Sequence, residues 1–262
     1  WWISRAACWG TSSGGTSQRI GTVVVHIHVP LHRTAIVRTF TMKAWTLTAH
    51  GDPHKVLHLH DHARPTPQAH QALIRCEGFG LNYADVMAVK GLYREAPPVP
   101  SVLGYEVVGT VEAVGDDVPK TLVGQRVVAM TRFGGYAQYA VTDHRAMAVI
   151  GAEVPLGEAT AMATQGCTAW YAARILCPLR QGERVLVHSA AGGVGQWLVQ
   201  LALRSGCEVF AMAGGKNKCN HLAAMGVQHV IDRRAGDPYT ALAQALHGHR
   251  LDVSFNAVGG SS

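Results

Sequence analysis

The stretch Val185-Leu-Val-His-Ser-Ala-Ala-Gly-Gly-Val-Gly195 decides the fold. It opens with branched apolar residues, passes into glycine, and leads into a helical period from Val194 to Ser205. Strand, glycine-rich turn and helix in that order form the context a dinucleotide fingerprint requires. Ala190 stands at the first position of G-x-G-x-x-G, with Gly192 and Gly195 at the other two. Gly192 lets a pyrophosphate approach the backbone, and Gly195 lets the helix pack close to its strand. The helix N-terminus adds unpaired N–H groups and the positive end of its dipole.

Working outward, the period stays of one kind on the C-terminal side. Strands at Arg184–Ser189, Glu208–Ala213, His229–Ile231 and Leu251–Asn256 alternate with helices at Val194–Ser205, Lys218–Met225 and Tyr239–His247. An Ala-rich run from Glu158 to Cys177 reads as one or two helices before them. This alternation predicts an α/β, doubly wound parallel sheet over 156–262. On the N-terminal side, short alternating strands separated by Gly and Pro predict a β-rich unit over 42–155. They lie at Lys43–Thr48, Val56–His62, Ala72–Gly78, Tyr105–Ala113, Arg126–Met130 and Tyr136–Val141.

The second strand of the α/β unit ends Met212-Ala-Gly-Gly-Lys-Asn-Lys218 without the acid that usually holds a ribose 2′-hydroxyl. Glu208 lies at the wrong end of that strand. Lys216 and Lys218 suit a 2′-phosphate instead, which predicts NADPH over NADH; for Lys216 a plain solvated lysine remains the other reading.

The chain has 262 residues, 48% of them hydrophobic, enough for a core. No run of ~18 apolar residues suits a membrane-spanning helix. The formal charge of +6 invites a nucleic-acid partner, but four arginines and no acid lie in residues 1–41, leaving +2 for the rest and arguing against an RNA footprint. Those 41 residues are Ser-, Thr- and Arg-rich and precede the first methionine, Met42. They read either as sequence upstream of a true start at Met42 or as an organellar transit segment, and are set outside the fold. The six cysteines show no C-x-x-C pair and read as free thiols, which suits the cytoplasm, or the mitochondrion if the leader is a transit segment.

Residues 42–262 resemble the zinc-independent quinone oxidoreductases of the medium-chain dehydrogenase/reductase superfamily, the branch that includes zeta-crystallin and polyketide enoyl reductase domains. The residues that carry the resemblance are Gly80-Leu-Asn-Tyr-Ala-Asp-Val-Met87, Gly91-Leu-Tyr93, Pro100-Ser-Val-Leu-Gly-Tyr-Glu106 and Val185–Gly195. The resemblance implies a GroES-like domain followed by a Rossmann domain, with the active site in the cleft between them. It places Asn82 and Thr168 by the nicotinamide, Ala191, Gly192, Gly193, Val194 and Gly195 at the pyrophosphate, and Lys218 at the 2′-phosphate. Asn82 as an ordinary turn residue is the competing reading. Arg233 stands where relatives carry a phosphate-site tyrosine and can replace it by ion pairing. Tyr83 is a candidate catalytic hydroxyl or else a core aromatic, and Met87 replaces another tyrosine with a side chain that cannot hydrogen-bond usefully.

The three catalytic-zinc positions of the wider superfamily fall at Asn82, Tyr105 and Thr164, none of them a good ligand, so no metal is expected. The six histidines between His50 and His70 read as a solvated strand face. The implied reaction is hydride transfer from NADPH to a quinone or conjugated enone. Alternatives are an enoyl thioester reductase and a non-catalytic NADPH-binding protein. The resemblance further implies a homodimer and two more strand–helix units beyond Gly260, so that the given sequence reads as partial.

Overall fold

Alternating side chains build the strands of the N-terminal half, and glycine or proline closes them. The computed structural model describes Ala7, Cys8 and residues 40–256, so the rest of the leader lies outside the described residues. In chain order the strands of this half are β1 (Ala7–Cys8), β2 (Thr41–Leu47), β3 (Leu57–Ala63), β4 (Gln71–Phe79) and β5 (Ser101–Val102). There follow β6 (Glu106–Val114), β7 (Arg126–Met130), β8 (Tyr139–Asp143) and β9 (Met147–Val149). One sheet runs β1-β4-β6-β7-β9, with β8 pairing the N-terminal part of β4 off that path, and a second runs β3-β2-β5. Leu47, Ile74, Leu103, Val107, Val111 and Val127 fill the core between them. Burying each such side chain is worth about 1.5–3 kcal/mol.

Two helices interrupt the strands, α1 (Pro53–Val56) and α2 (Tyr83–Val89). The strand expected from Tyr136 starts only at Tyr139. The residues before it pair irregularly: Gly134, Gly135 and Tyr136 donate to the carbonyls of Val102, Gly104 and Leu103. Gly104 permits this, with φ +103 and no room for a Cβ, which would lie 2.7 Å from the Tyr136 nitrogen.

A helical run links the two halves: α3 (Leu156–Ala161), a π-helical stretch (Met162–Gly166), α4 (Cys167–Trp170) and a second π-helical stretch (Tyr171–Leu176). Arg126 anchors its approach, donating to Glu77 Oε2 at 3.0 Å and to the carbonyls of Gly151 and Val154 at 3.0 and 2.9 Å. The α/β half then follows as β10 (Arg184–Val187), α5 (Gly193–Arg204), β11 (Glu208–Ala213), α6 (Lys216–Ala224), β12 (His229–Asp232), α7 (Pro238–Leu246) and β13 (Val253–Phe255).

Its four strands are parallel in the order β12-β11-β10-β13. Apolar clusters cover both faces, with Val185, Val187, Val209 and Ala211 on one and Leu186, Phe210, Met212 and Ile231 on the other. That accounts for the near-continuous apolar runs of β10 and β11. The buried residues of α5 are Gly195, Leu198, Val199 and Ala202, a single stripe at helical spacing. Gly206, at φ +73, follows the helix end as a left-handed cap.

Candidate active site

The turn between β10 and α5 has the form the fingerprint predicts. Ser189 adopts φ 49, Gly192 donates to its carbonyl at 2.8 Å, and the helix starts at Gly193. A Cβ on Gly195 would lie 2.4 Å from the Ser189 oxygen and 2.8 Å from Ala190 Cα, so only glycine lets α5 approach the strand this closely. No side chain caps α5. The first-turn N–H groups of Gly193, Val194 and Gly195 have no helical acceptor and remain available to an anion, with Ala191 at the lip of the turn.

Beyond β11, Gly214 and Gly215 form a second glycine turn with basic residues around it. Arg233 Nε would lie 3.0 Å from a Cβ on Gly214, and Arg234 Nη1 3.5 Å from one on Gly215. Lys216 and Lys218 are exposed on the first turn of α6. Among the described residues neither lysine makes an ion pair. Glu208, at the far end of β11, is paired with Arg184 and His229. Two residues here escaped sequence reasoning. Arg234 is one, and Asp232 is the other. Asp232 Oδ1 accepts the N–H groups of Gly215 at 2.8 Å and Arg234 at 2.9 Å, and these hold its carboxyl below the usual range. The sequence signal for both was their place at the end of an apolar strand, Asp232 as its last residue and Arg234 two residues on.

Asn82 precedes α2 as its N-cap, with its backbone N–H on Asp85 Oδ2 at 3.0 Å. The Asn82 amide nitrogen donates to Glu106 Oε1 at 2.9 Å, and its oxygen faces Gln165 Nε2 at 3.4 Å. Glu106 is fully buried, and a Cβ on Gly80 would lie 1.6 Å from its Oε1. Its other oxygen, Oε2, is buried without a hydrogen-bond partner, as is Thr164 Oγ1. Burial is the main force pushing the Glu106 carboxyl up to about 7; the Asn82 amide opposes the shift, and the nearby Asp85 carboxylate adds to it.

Asp85 is itself buried and accepts the Gly104 N–H at 3.2 Å. Its carboxyl is raised chiefly by burial, against the hydrogen bonds from Asn82, Tyr136 and Gly104. Tyr83, beside Asn82, is 70% exposed, so it is not the core aromatic of the alternative reading. Thr168 is also exposed, its hydroxyl turned back onto the Thr164 carbonyl at 2.6 Å. Met87 is half-buried on α2.

At the three positions where the resemblance would put zinc ligands stand the amide of Asn82, the phenol of Tyr105 and the hydroxyl of Thr164, a donor set that does not fit zinc. Among the described residues no three or more His, Cys, Asp or Glu side chains gather to hold a metal. His58 and His60 are exposed on β3 and stack at 5.9 Å. Cys76, Cys167, Cys177, Cys207 and Cys219 are free thiols. No helix among the described residues is long and apolar enough to cross a membrane.

The alcohol dehydrogenase GroES-like domain family matches residues 68–173, and the zinc-binding dehydrogenase family matches residues 193–262. The quinone oxidoreductase of Pseudomonas syringae pv. Tomato DC3000 superposes with a TM-score of 0.78 at 31% identity, over 84% of this chain and 67% of its own. The chain belongs to the medium-chain dehydrogenase/reductase family.

Within that family of oxidoreductases, the Escherichia coli quinone oxidoreductase solved with NADPH superposes at TM-score 0.78 and 28% identity, covering 84% of this chain and 67% of its own. The CurK enoyl reductase superposes at 0.76 and 29%, covering 84% and 68%. A mycocerosic acid synthase-like polyketide synthase of Mycobacterium tuberculosis is 32% identical over 182 residues, 70% of this chain. The chain spans only 9% of that relative's length. The medium-chain dehydrogenase/reductase fold here is thus a GroES-like unit followed by a Rossmann-type sheet.

Proposed function

We propose that this chain transfers hydride from NADPH to a quinone or conjugated enone without a metal. The observation that carries the reading is the contact between the two units. The Gln165 side chain lies beside Gly193 of the glycine turn and donates to the Asn82 amide oxygen, so the turn of one unit and the polar amide of the other are neighbours.

The residues present fit a phosphorylated dinucleotide. Ala191 and Gly192 shape the turn, the N–H groups of Gly193, Val194 and Gly195 meet the pyrophosphate, and Lys218 and Arg233 pair with the 2′-phosphate. The nicotinamide, when bound, supplies the hydride. Thr168 and Asn82 border its place. The Asn82 amide donates to the acceptor carbonyl, where negative charge develops as hydride arrives. Tyr83, on the first turn of α2, is the hydroxyl that can exchange a proton with solvent.

A second reading is reduction of an enoyl thioester, favoured by the likeness to the CurK enoyl reductase. The discriminating experiment is steady-state oxidation of NADPH by a panel of quinones, enones and enoyl thioesters. Turnover of the quinones or enones supports the first reading and turnover of thioesters alone the second. Tight NADPH binding with no turnover overturns both and leaves a binding protein.

A further inference from the structure

The buried polar groups around Asn82 are more elaborate than a helix cap needs. Asn82 lies on the β-rich unit, Gln165 on the first π-helical stretch, and Gly193 at the start of α5. Gln165 is buried, and its amide occupies the space where a Cβ on Gly193 would stand, 2.2 Å from Oε1. One of its amide protons reaches Asn82 Oδ1. On the other side Glu106 accepts from Asn82 Nδ2. A carboxylate offers only acceptors, so it fixes which end of the Asn82 amide is nitrogen. Gln165 offers a donor to the opposite end. The two contacts agree, and they leave one N–H of Asn82 without a protein partner among the described residues. π-Helical turns of this kind are frequent at functional sites. Here one places Gln165 between Asn82 and Gly193.

We propose that Glu106 and Gln165 are positioning residues which clamp the Asn82 amide in a single orientation and so present its remaining N–H to the carbonyl oxygen of the acceptor. This rests on the reductase reading above. A flipped amide would turn an oxygen toward that carbonyl and oppose the developing charge instead of stabilising it. The titratable groups that face Glu106 are Asp85 from α2 and Tyr136 from the segment before β8. Gly80, Asn82 and Thr164 contribute no charge from the other sides.

The test is a double-mutant cycle on the full chain with Glu106→Gln, Gln165→Met and Asn82→Ala. Each of the first two should lower kcat/KM for the acceptor by about tenfold, with NADPH affinity within about twofold of the parent. Combining either with Asn82→Ala should cost no more than Asn82→Ala alone, because the clamp acts only through that amide. Additive losses, or losses that fall on NADPH affinity, overturn the proposal. The side-chain resonances of Asn82 in 15N-labelled protein supply a readout that needs no turnover. They should be a sharp, resolved pair in the parent and broadened by exchange in Glu106→Gln. If the parent reduces no acceptor, the functional reading fails while a sharp pair in the parent and exchange in the variant still show the clamp. Broadening already in the parent overturns the clamp whatever the activity, and that measurement does not depend on either variant folding.

Discussion

The amide of Gln165 fills the space beside Gly193 that a side chain would otherwise take, with Oε1 only 2.2 Å from the position of a Cβ. A glycine of the turn between β10 and α5 is thereby spared for a neighbour on another element.

Gly193→Ala and Gly195→Ala should therefore fail differently. Alanine at 193 meets the movable end of Gln165 and suits a first helical turn, so stability should change by less than about 1 kcal/mol. Activity should fall because Gln165 leaves Asn82. Alanine at 195 meets the Ser189 and Ala190 backbone at 2.4 and 2.8 Å and should cost about 1–3 kcal/mol together with cofactor affinity. Urea unfolding beside a dinucleotide titration separates the two. Equal destabilisation would contradict the assignment.

Glu106 makes stability depend on pH with a definite sign. Its carboxyl is raised from 4.5 to about 7, so the folded state binds its proton more tightly than the unfolded chain does. The benefit is complete below about pH 4.5 and is lost as the pH rises through about 7. Replacing Glu106 with Gln should remove about 2–3 kcal/mol of the parent's pH dependence between pH 5 and 8. Unfolding curves at both pH values measure this, and parallel behaviour of parent and variant would contradict it. Turnover should run the other way, rising about tenfold from pH 6 to 8 in the parent as the carboxylate forms, and staying flat in the variant.

Lys218→Ala should weaken NADPH by about ten- to a hundredfold, the range of a lost charge-assisted contact, and leave NADH within about twofold. Arg233→Ala should behave alike. Fluorescence titration with both dinucleotides measures the difference, and equal losses would remove the 2′-phosphate from this turn.

Arg126→Lys should destabilise the chain by about 2 kcal/mol. One ammonium cannot keep the fork that serves Glu77, Gly151 and Val154 together. Chemical denaturation reads this directly. A change under about 0.5 kcal/mol would mean that the approach to α3 is held by its apolar neighbours instead.

Much of this was legible in the chain because periodicity reports burial. Arg126–Met130 and Glu208–Ala213 run as their patterns predict, one in a β-rich sheet and the other buried on both faces. The glycine turn was legible because close approach leaves few substitutes for Gly195. Helix α2 was not, although Asn82 followed three residues later by Asp85 is a start signal; its seven residues were too few to show a period. The π-helical stretches in the Ala-rich run leave no composition signal. Gln165 carries no local signal, because its partner lies 83 positions away. Glu106 read only as part of a motif, since nothing local tells that an acid between two valine-rich segments will be fully buried.

The burial of Glu106 has a consequence for selection. At neutral pH its carboxylate is a burden on the fold and, through Asn82, an aid to the site. A library screened for heat resistance alone at neutral pH should therefore enrich neutral replacements at position 106, and the survivors should be robust proteins with a dulled cleft. Coupling the screen to turnover should restore the acid.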